Sequence, residues 1–174
     1  MSHASISHSM VKPFLDQLTI RAGNEISTMM MNKLKEELRK TSNIQAEFIK
    51  EIMNQGNLKF FIVPGLNPSE PSIGLVSKNL KSIMSLALNT TDKKFLKYYN
   101  SPFILDLLHI HSFQKGEGRN LMEAFLQIHR NLNIPGSLWT ETSENVSYFE
   151  KYGFECLGKL GANSEYLMKL PARP

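Results

Sequence analysis

The chain has one cysteine, Cys156, in 174 residues. No internal disulfide can form, and a reducing, cytoplasmic setting is expected. Cys156 reads as a small packing residue rather than a nucleophile. No apolar run is long enough to span a bilayer, and no basic-then-apolar leader opens the chain, so no membrane partner is expected. Blocks of like charge are also missing. The 20 basic residues outnumber the 16 acidic ones by a spread-out excess of +4, which fits a small anionic ligand and gives no argument for nucleic acid. There is no internal repeat and no low-complexity segment. No glycine is followed by the Gly-Lys-Ser/Thr of a Walker loop at the required gap.

What is present suits one domain with a real hydrophobic core over residues 11–174, after a small polar tail over residues 1–10 with His3 and His8. Leu18 to Arg21 reads as a short strand or as the continuation of a helix from Val11. Asn24 caps a helix with Ile26, Met29, Met30, Leu34 and Leu38 inward, and Lys33 to Lys40 forms its solvated side. Asn43 starts a second helix, with Ile44, Phe48, Ile49 and Ile52 inward, ending near Gly56. Leu58 to Val63 and Ser72 to Ser77 read as a hairpin around the proline-rich loop from Pro64 to Pro71. Ile83, Met84, Leu86 and Ala87 fit a short helix. Phe95, Leu96, Tyr98 and Tyr99 fit another, capped from Thr90-Thr91-Asp92.

The second half reads as strand, helix, strand, helix, strand, strand. Phe103 to Ile110 is a buried strand, Leu121 to Leu132 a helix, and Leu138 to Thr142 a strand. Asn145 to Tyr152 is a helix stopped at Gly153, followed by strands at Phe154 to Leu160 and Tyr166 to Leu170. The first crossover implies parallel pairing of the strands it joins.

Between the Phe103 strand and its helix lies Phe113-Gln114-Lys115-Gly116-Glu117-Gly118-Arg119-Asn120-Leu121. The first N–H groups of a helix have no partner within it, and its dipole adds partial positive charge there. Two glycines remove Cβ atoms that would hold a phosphate off those groups. The stretch is either a pyrophosphate site rimmed by Lys115 and Arg119, or a turn that glycine merely permits.

Two motifs in order make the second half, Phe103 to Leu170, resemble the GNAT superfamily of N-acyltransferases. One is Gln114-Lys115-Gly116-Glu117-Gly118, similar to the family's Gly-x-Gly/Ala loop. The other is Asn145-Val146-Ser147-Tyr148-Phe149-Glu150-Lys151-Tyr152-Gly153-Phe154, similar to its Asn-Val, aromatic pair, Glu-Lys, Gly-Phe run. The resemblance implies an α/β fold: a mixed, mostly antiparallel central sheet with helices on both faces and a splayed central strand pair. It implies acetyl-CoA as cofactor and acyl transfer to a small-molecule or peptide amine, by a monomer or homodimer. Leu108, His109 and Ile110 would bond the pantetheine arm as a strand does. Gln114, Lys115, Gly116, Glu117, Gly118, Arg119 and Asn120 would take the pyrophosphate, and Asn145 and Phe149 would lie beside the cofactor. Phe113 stands where the family usually carries Gln or Arg.

For the chemistry, Asp106 is the expected base or the anchor of a water acting as one, its pKa raised by burial. The plainer reading is a capped or lysine-paired carboxylate at a strand end. The family's general acid, a tyrosine, falls on Phe149, which has no proton to give. Tyr148 is the nearest candidate, with Tyr152 one turn on and water as the alternative donor. His109 and His111 share a strand face, as a polar strand-end pair, a proton relay or the start of a metal site lacking an obvious third ligand. Asn145 also suits an N-cap, Trp139 the core, and His129 solvent.

Overall fold

The computed structural model describes residues 43–63 and 72–174, together with Met29, Asn32, Lys33 and Glu36. The expectations for the first strand, the Asn24 cap and the proline-rich loop lie outside these residues. The four isolated positions are helical. Met29, expected inward, is 69% exposed.

The first continuous element is helix α1, Asn43–Met53, which buries Ala46, Phe48, Ile49 and Ile52 as its spacing requires. Strands β1 (Leu58–Val63), β2 (Ser72–Ser77) and β3 (Ser82–Leu88) follow. A short 3-10 helix spans Lys93–Tyr98, capped by Asp92, whose side chain accepts from Lys94 N. Then come β4 (Leu105–Ser112), α2 (Glu117–Leu132), β5 (Gly136–Thr140), α3 (Ser143–Glu150), β6 (Glu155–Lys159) and β7 (Tyr166–Leu170). The strands form one seven-stranded sheet in the order β1-β2-β3-β4-β5-β7-β6. Only β4 and β5 pair in parallel, as the intervening helix requires. The mixed, mostly antiparallel sheet is the one expected.

Residues 82–88 are a correction. A short apolar run does not distinguish a buried helix from a central strand. Here β2 and β4 flank it, both faces are covered, and every residue but Ser85 is buried. Left-handed residues on either side, Leu80 (φ 61°) and Asn89 (φ 60°), turn the chain into and out of the strand.

Phe48, Ile49 and Ile52 of α1 share a core with Leu121, Phe125 and Ile128 of α2, Phe149 of α3, and Leu75, Met84, Leu86, Leu105, Leu107 and Leu138 of the sheet. The three described α-helices therefore lie on one face. The opposite face carries the 3-10 helix, whose Phe95 meets Trp139 edge to face at 5.0 Å. Tyr99 there shares a hydrogen bond with Ser137, and desolvation pushes its phenol up to about 12. Each fully buried large apolar side chain contributes about 1.5–3 kcal/mol, so this single core holds the β4–α2–β5 unit rigid.

Several boundaries move. Helix α2 starts at Glu117, so residues 117–120 are its first turn and not loop. Strand β4 begins at Leu105, and β5 ends at Thr140. Thr142, and not Asn145, caps α3, its hydroxyl accepting from Asn145 N at 3.2 Å. Gly153 has φ +95°, as its stop position requires. Cys156 is exposed on β6, not packed. Trp139 is half-buried.

His129 was expected in solvent and is 4% exposed. It stacks on Phe125, one turn earlier, and its Nε2 has no hydrogen-bond partner. Desolvation lowers its pKa from 6.5. The carbonyls of Pro171 and Leu170 oppose this, while Arg173 and Arg130 add to it. The unfolded chain thus takes up a proton that the folded chain resists, so stability is intact above about pH 6.5 and falls as pH drops through that value. His129→Leu is expected to flatten the acid side of a Tm-versus-pH profile between pH 7 and 5; a profile identical to that of the unsubstituted protein would exclude this origin.

Candidate functional site

The parallel pairing of β4 with β5 covers only Leu105↔Gly136, Asp106↔Ser137 and Leu107↔Leu138. Beyond Leu107 the two strands part, which is the splay expected of the central pair. On the other side of β4 the register steps from Leu86↔Leu107 to Ser85↔His109. Two β4 residues therefore advance against one of β3, and Leu108 is the extra residue of a bulge, a device that bends and twists a strand. Splay and bulge begin at the same place.

The bulge also resets which way β4 faces. Met84 and Leu86 point to the helical core, so their partners Ile110 and Leu107 do too. His109 opposite Ser85 and His111 opposite Ile83 therefore face the other side, with Asp106 opposite Ala87. The two imidazoles stack, 6.3 Å between centroids and 15° from parallel. Phe113 continues the row, edge-on to His111 at 4.4 Å. The shared face was legible; the bulge that selects it was not.

Two recesses flank this row. The first, about 220 Å³, lies in the splay and is lined by Leu108, His109, Ile110, His111, Trp139, Asn145 and Phe149 among others. The second, about 500 Å³, lies at the glycine loop and is lined by Gln114, Lys115, Gly116, Gly118, Arg119, Tyr148 and Tyr152. Ile110, His111, Asn145 and Phe149 line both. They form one groove running from the parted strands to the start of α2. The structure thus gathers Leu108, His109, Ile110, Gln114, Lys115, Gly116, Gly118, Arg119, Asn145, Phe149 and Tyr148.

It does not gather Glu117 and Asn120. Both line a separate polar hollow beside the α1–β1 turn and the β2–β3 turn. The reason is helical geometry: once 117–120 form the first turn of α2, these two residues lie on the side away from Gly118. The carboxylate of Glu117 accepts from Asn79 Nδ2 at 3.0 Å.

At the loop, Gly116 caps α2 with φ +90°, a conformation that favours glycine. Glu117 N donates to Gln114 O at 3.2 Å and Arg119 N to Gly116 O at 3.3 Å. Phe113 N donates to Lys81 O at 2.8 Å, tying the loop to the β2–β3 turn. Gly118 has an ordinary helical backbone. A Cβ there would meet only Tyr148 Oη at 3.5 Å and Ser112 Cβ at 3.6 Å, which are normal contacts. The fold does not require glycine at 118; a group approaching the main chain would. Together with Lys115 and Arg119 at the rim, this cradle fits a phosphate-bearing cofactor.

Asp106 takes the form of the plainer reading, a capped carboxylate. It is 5% exposed and does not line either recess. Its carboxylate accepts from Thr90 N, Thr90 Oγ1 and Thr91 Oγ1, each at 2.7 Å. Desolvation raises its pKa against the pull of those bonds. This is the clasp that holds the segment after β3 onto β4, and it employs the Thr-Thr pair read from the sequence as part of a helix cap.

Tyr148 stands at the loop end of the groove with its hydroxyl by Gly118, outside the lining of the splay. Its ring meets Phe149 and Tyr152 edge to face. Desolvation, then the hydrogen bond with Tyr152, raises its pKa well above that of an ordinary phenol. Among the described residues no three His, Cys, Asp or Glu side chains gather as a metal site would need, and no helix is long and apolar enough to cross a membrane.

No family model and no curated protein sequence matches the chain. Solved structures do resemble it. A histone acetyltransferase HPA2 and related acetyltransferase from Corynebacterium glutamicum covers 97% of this chain and 94% of its own, at 11% identity and a TM-score of 0.43. The PaiA N-acetyltransferase from Thermoplasma acidophilum, solved in complex with coenzyme A, covers 74% and 69%, at 14% identity and 0.40. An acyl-CoA N-acyltransferase from Pseudomonas aeruginosa covers 56% and 67%, at 18% identity and 0.40. Likeness at this level assigns neither activity nor ligand.

Two substitutions test the site's construction. Gly118→Ala adds a helix-favouring residue where the protein has room and is expected to stabilise the fold by about 0.5–1 kcal/mol while weakening binding of a phosphate-bearing ligand; a loss of stability would mean that the fold itself needs the glycine. Asp106→Asn turns amide hydrogens toward donors that lose their acceptor, and unfolding measurements should show a cost of about 1–3 kcal/mol. Unchanged stability would return Asp106 to the list of candidate bases.

Proposed function

We propose that this chain is an acyl-CoA-dependent N-acyltransferase that moves an acetyl group from acetyl-CoA to an amine. The observation that carries the reading is the continuous groove from the parted β4 and β5 to the glycine cradle at the start of α2. Its splay end exposes one edge of a strand, and its loop end offers helix N–H groups, so it suits a long ligand with an amide-bearing arm and a pyrophosphate.

In this reading the main chain of Leu108 to Ile110, beyond the last residue pair with β5, runs alongside the pantetheine arm as a strand does. Gly116 and Gly118 admit the pyrophosphate, with Lys115 and Gln114 beside it. The thioester then lies in the splay, next to His109 and His111. The amine nitrogen bonds to the carbonyl carbon, the C–S bond breaks, the nitrogen gives up a proton, and the departing sulfur acquires one. Holding the partners together supplies much of the rate, up to about 7–11 kcal/mol in favourable cases.

The base assigned here is the His109–His111 pair and not Asp106, because the imidazoles line the opening and the carboxylate does not. Tyr148 serves as the wall of the phosphate end; the sulfur takes its proton from water. Phe149 lines the groove where a tyrosine acid would be expected, and that one feature favours a second reading, a catalytically impaired CoA-binding sensor or interaction module.

Acetyl-CoA binding followed by thiol release across a panel of amines separates the two. Binding without release would support the module, and absence of binding would sink both. In the enzyme, replacing both histidines (His109→Asn with His111→Asn) should lower kcat by about 10²–10⁴-fold, as loss of a general base does, with little change in acetyl-CoA affinity. An unaltered pH–rate profile in that variant would remove the pair from the mechanism.

A further inference from the structure

Glu117 presents an electrostatic problem that the fold has answered. It is the first residue of α2, directly after the Gly116 cap, where a carboxylate is attracted to the partial positive charge of the helix start. A cofactor phosphate would seek the same N–H groups. A free carboxylate at that position competes for them and repels the phosphate.

The side chain of Glu117 leaves the helix on the side away from Gly118, and its carboxylate is fixed there. Its Oε1 accepts from Asn79 Nδ2 at 3.0 Å, and both residues line the polar hollow and not the glycine recess. Asn79 is itself held in place. Its Oδ1 accepts from Ser77 Oγ at 2.7 Å and from Lys81 N at 3.0 Å. Ser77 Oγ also accepts from Lys81 N at 3.0 Å and Ser82 N at 3.1 Å. With its oxygen taken inside the turn, Asn79 turns its amide donor outward to Glu117. The same turn supplies Lys81 O to Phe113 N, so it grips the phosphate loop from both ends.

We propose that Asn79 is a positioning residue for cofactor binding: it holds the Glu117 carboxylate out of the anion site at the start of α2. The inference rests on the reading of that loop as the pyrophosphate site. Without Asn79 the carboxylate is free to fold back over the first turn. The cofactor must then displace it.

The test is a double-mutant cycle read by CoA titration of the full chain, with Tm measured alongside. Asn79→Ala is expected to weaken CoA binding by about two- to five-fold, the scale of one charge at a helix terminus. In a Glu117→Gln background the same substitution should have no effect, because the competing charge is gone. Asn79→Asp, which repels the carboxylate but keeps the turn's acceptor, should weaken binding at least as much as Asn79→Ala. The Asn79→Ala loss should shrink at high salt. Equal losses with and without Glu117, or a loss that follows Tm alone, would overturn the proposal and reduce Asn79 to a turn residue. CoA binding by the unsubstituted protein with no change in Asn79→Ala would overturn it too while leaving the cofactor reading intact; no binding by the unsubstituted protein would overturn both.

Discussion

The hydrogen-bond ladder between β4 and β5 stops after three residue pairs, and the rest of the site depends on that interruption. A strand at the centre of a sheet normally spends its N–H and C=O groups on both neighbours. Here β4 keeps β3 along its length and loses β5 from Leu108 onward. The bulge at Leu108 is the local means, since one extra residue rotates the strand and breaks its register. The result is an edge, with the bonding capacity edges have, located in the middle of a well-packed domain.

Rigid packing on one side makes this edge tolerable. Leu105, Leu107 and Leu138 are sealed against α2 by Leu121, Phe125 and Ile128. The other face is held by the Asp106 clasp and the Tyr99–Ser137 bond. Both anchors sit at the paired end, so the strands diverge from a fixed hinge point. A buried carboxylate satisfied by three donors is expensive to remove and poorly placed to exchange protons. Its raised pKa reflects desolvation inside that contact.

How much of this was legible followed the range of the interactions. The glycine loop could be read because its chemistry is local: two glycines, a helix start and two cations within nine residues. The parallel pairing of β4 with β5 was legible from the crossover, and Gly153 from its stop position. The Leu108 bulge was not, because nothing in Leu107-Leu108-His109 marks an extra residue; only the pairing with β3 creates it. Residues 82–88 were misread because burial on both faces erases the alternation that distinguishes a strand. His129 carried a usable signal, lying one turn after Phe125 on the apolar stripe of α2, and its polarity concealed it. Asn79 and Glu117 are 38 positions apart, and their meeting is tertiary.

Strand β6 is one of the two edges of the sheet, β1 being the other. It is the last strand of the sheet, beyond β7, and its outer side offers a ladder. Three features blunt it: it is five residues long, the charged Glu155 and Lys159 bound it, and its register slips between Cys156 and Gly158. Such an edge resists strand-to-strand aggregation. The chain's only thiol lies on that same edge, exposed. What that edge presents to solvent is therefore a thiol between two charged residues more than an open backbone ladder.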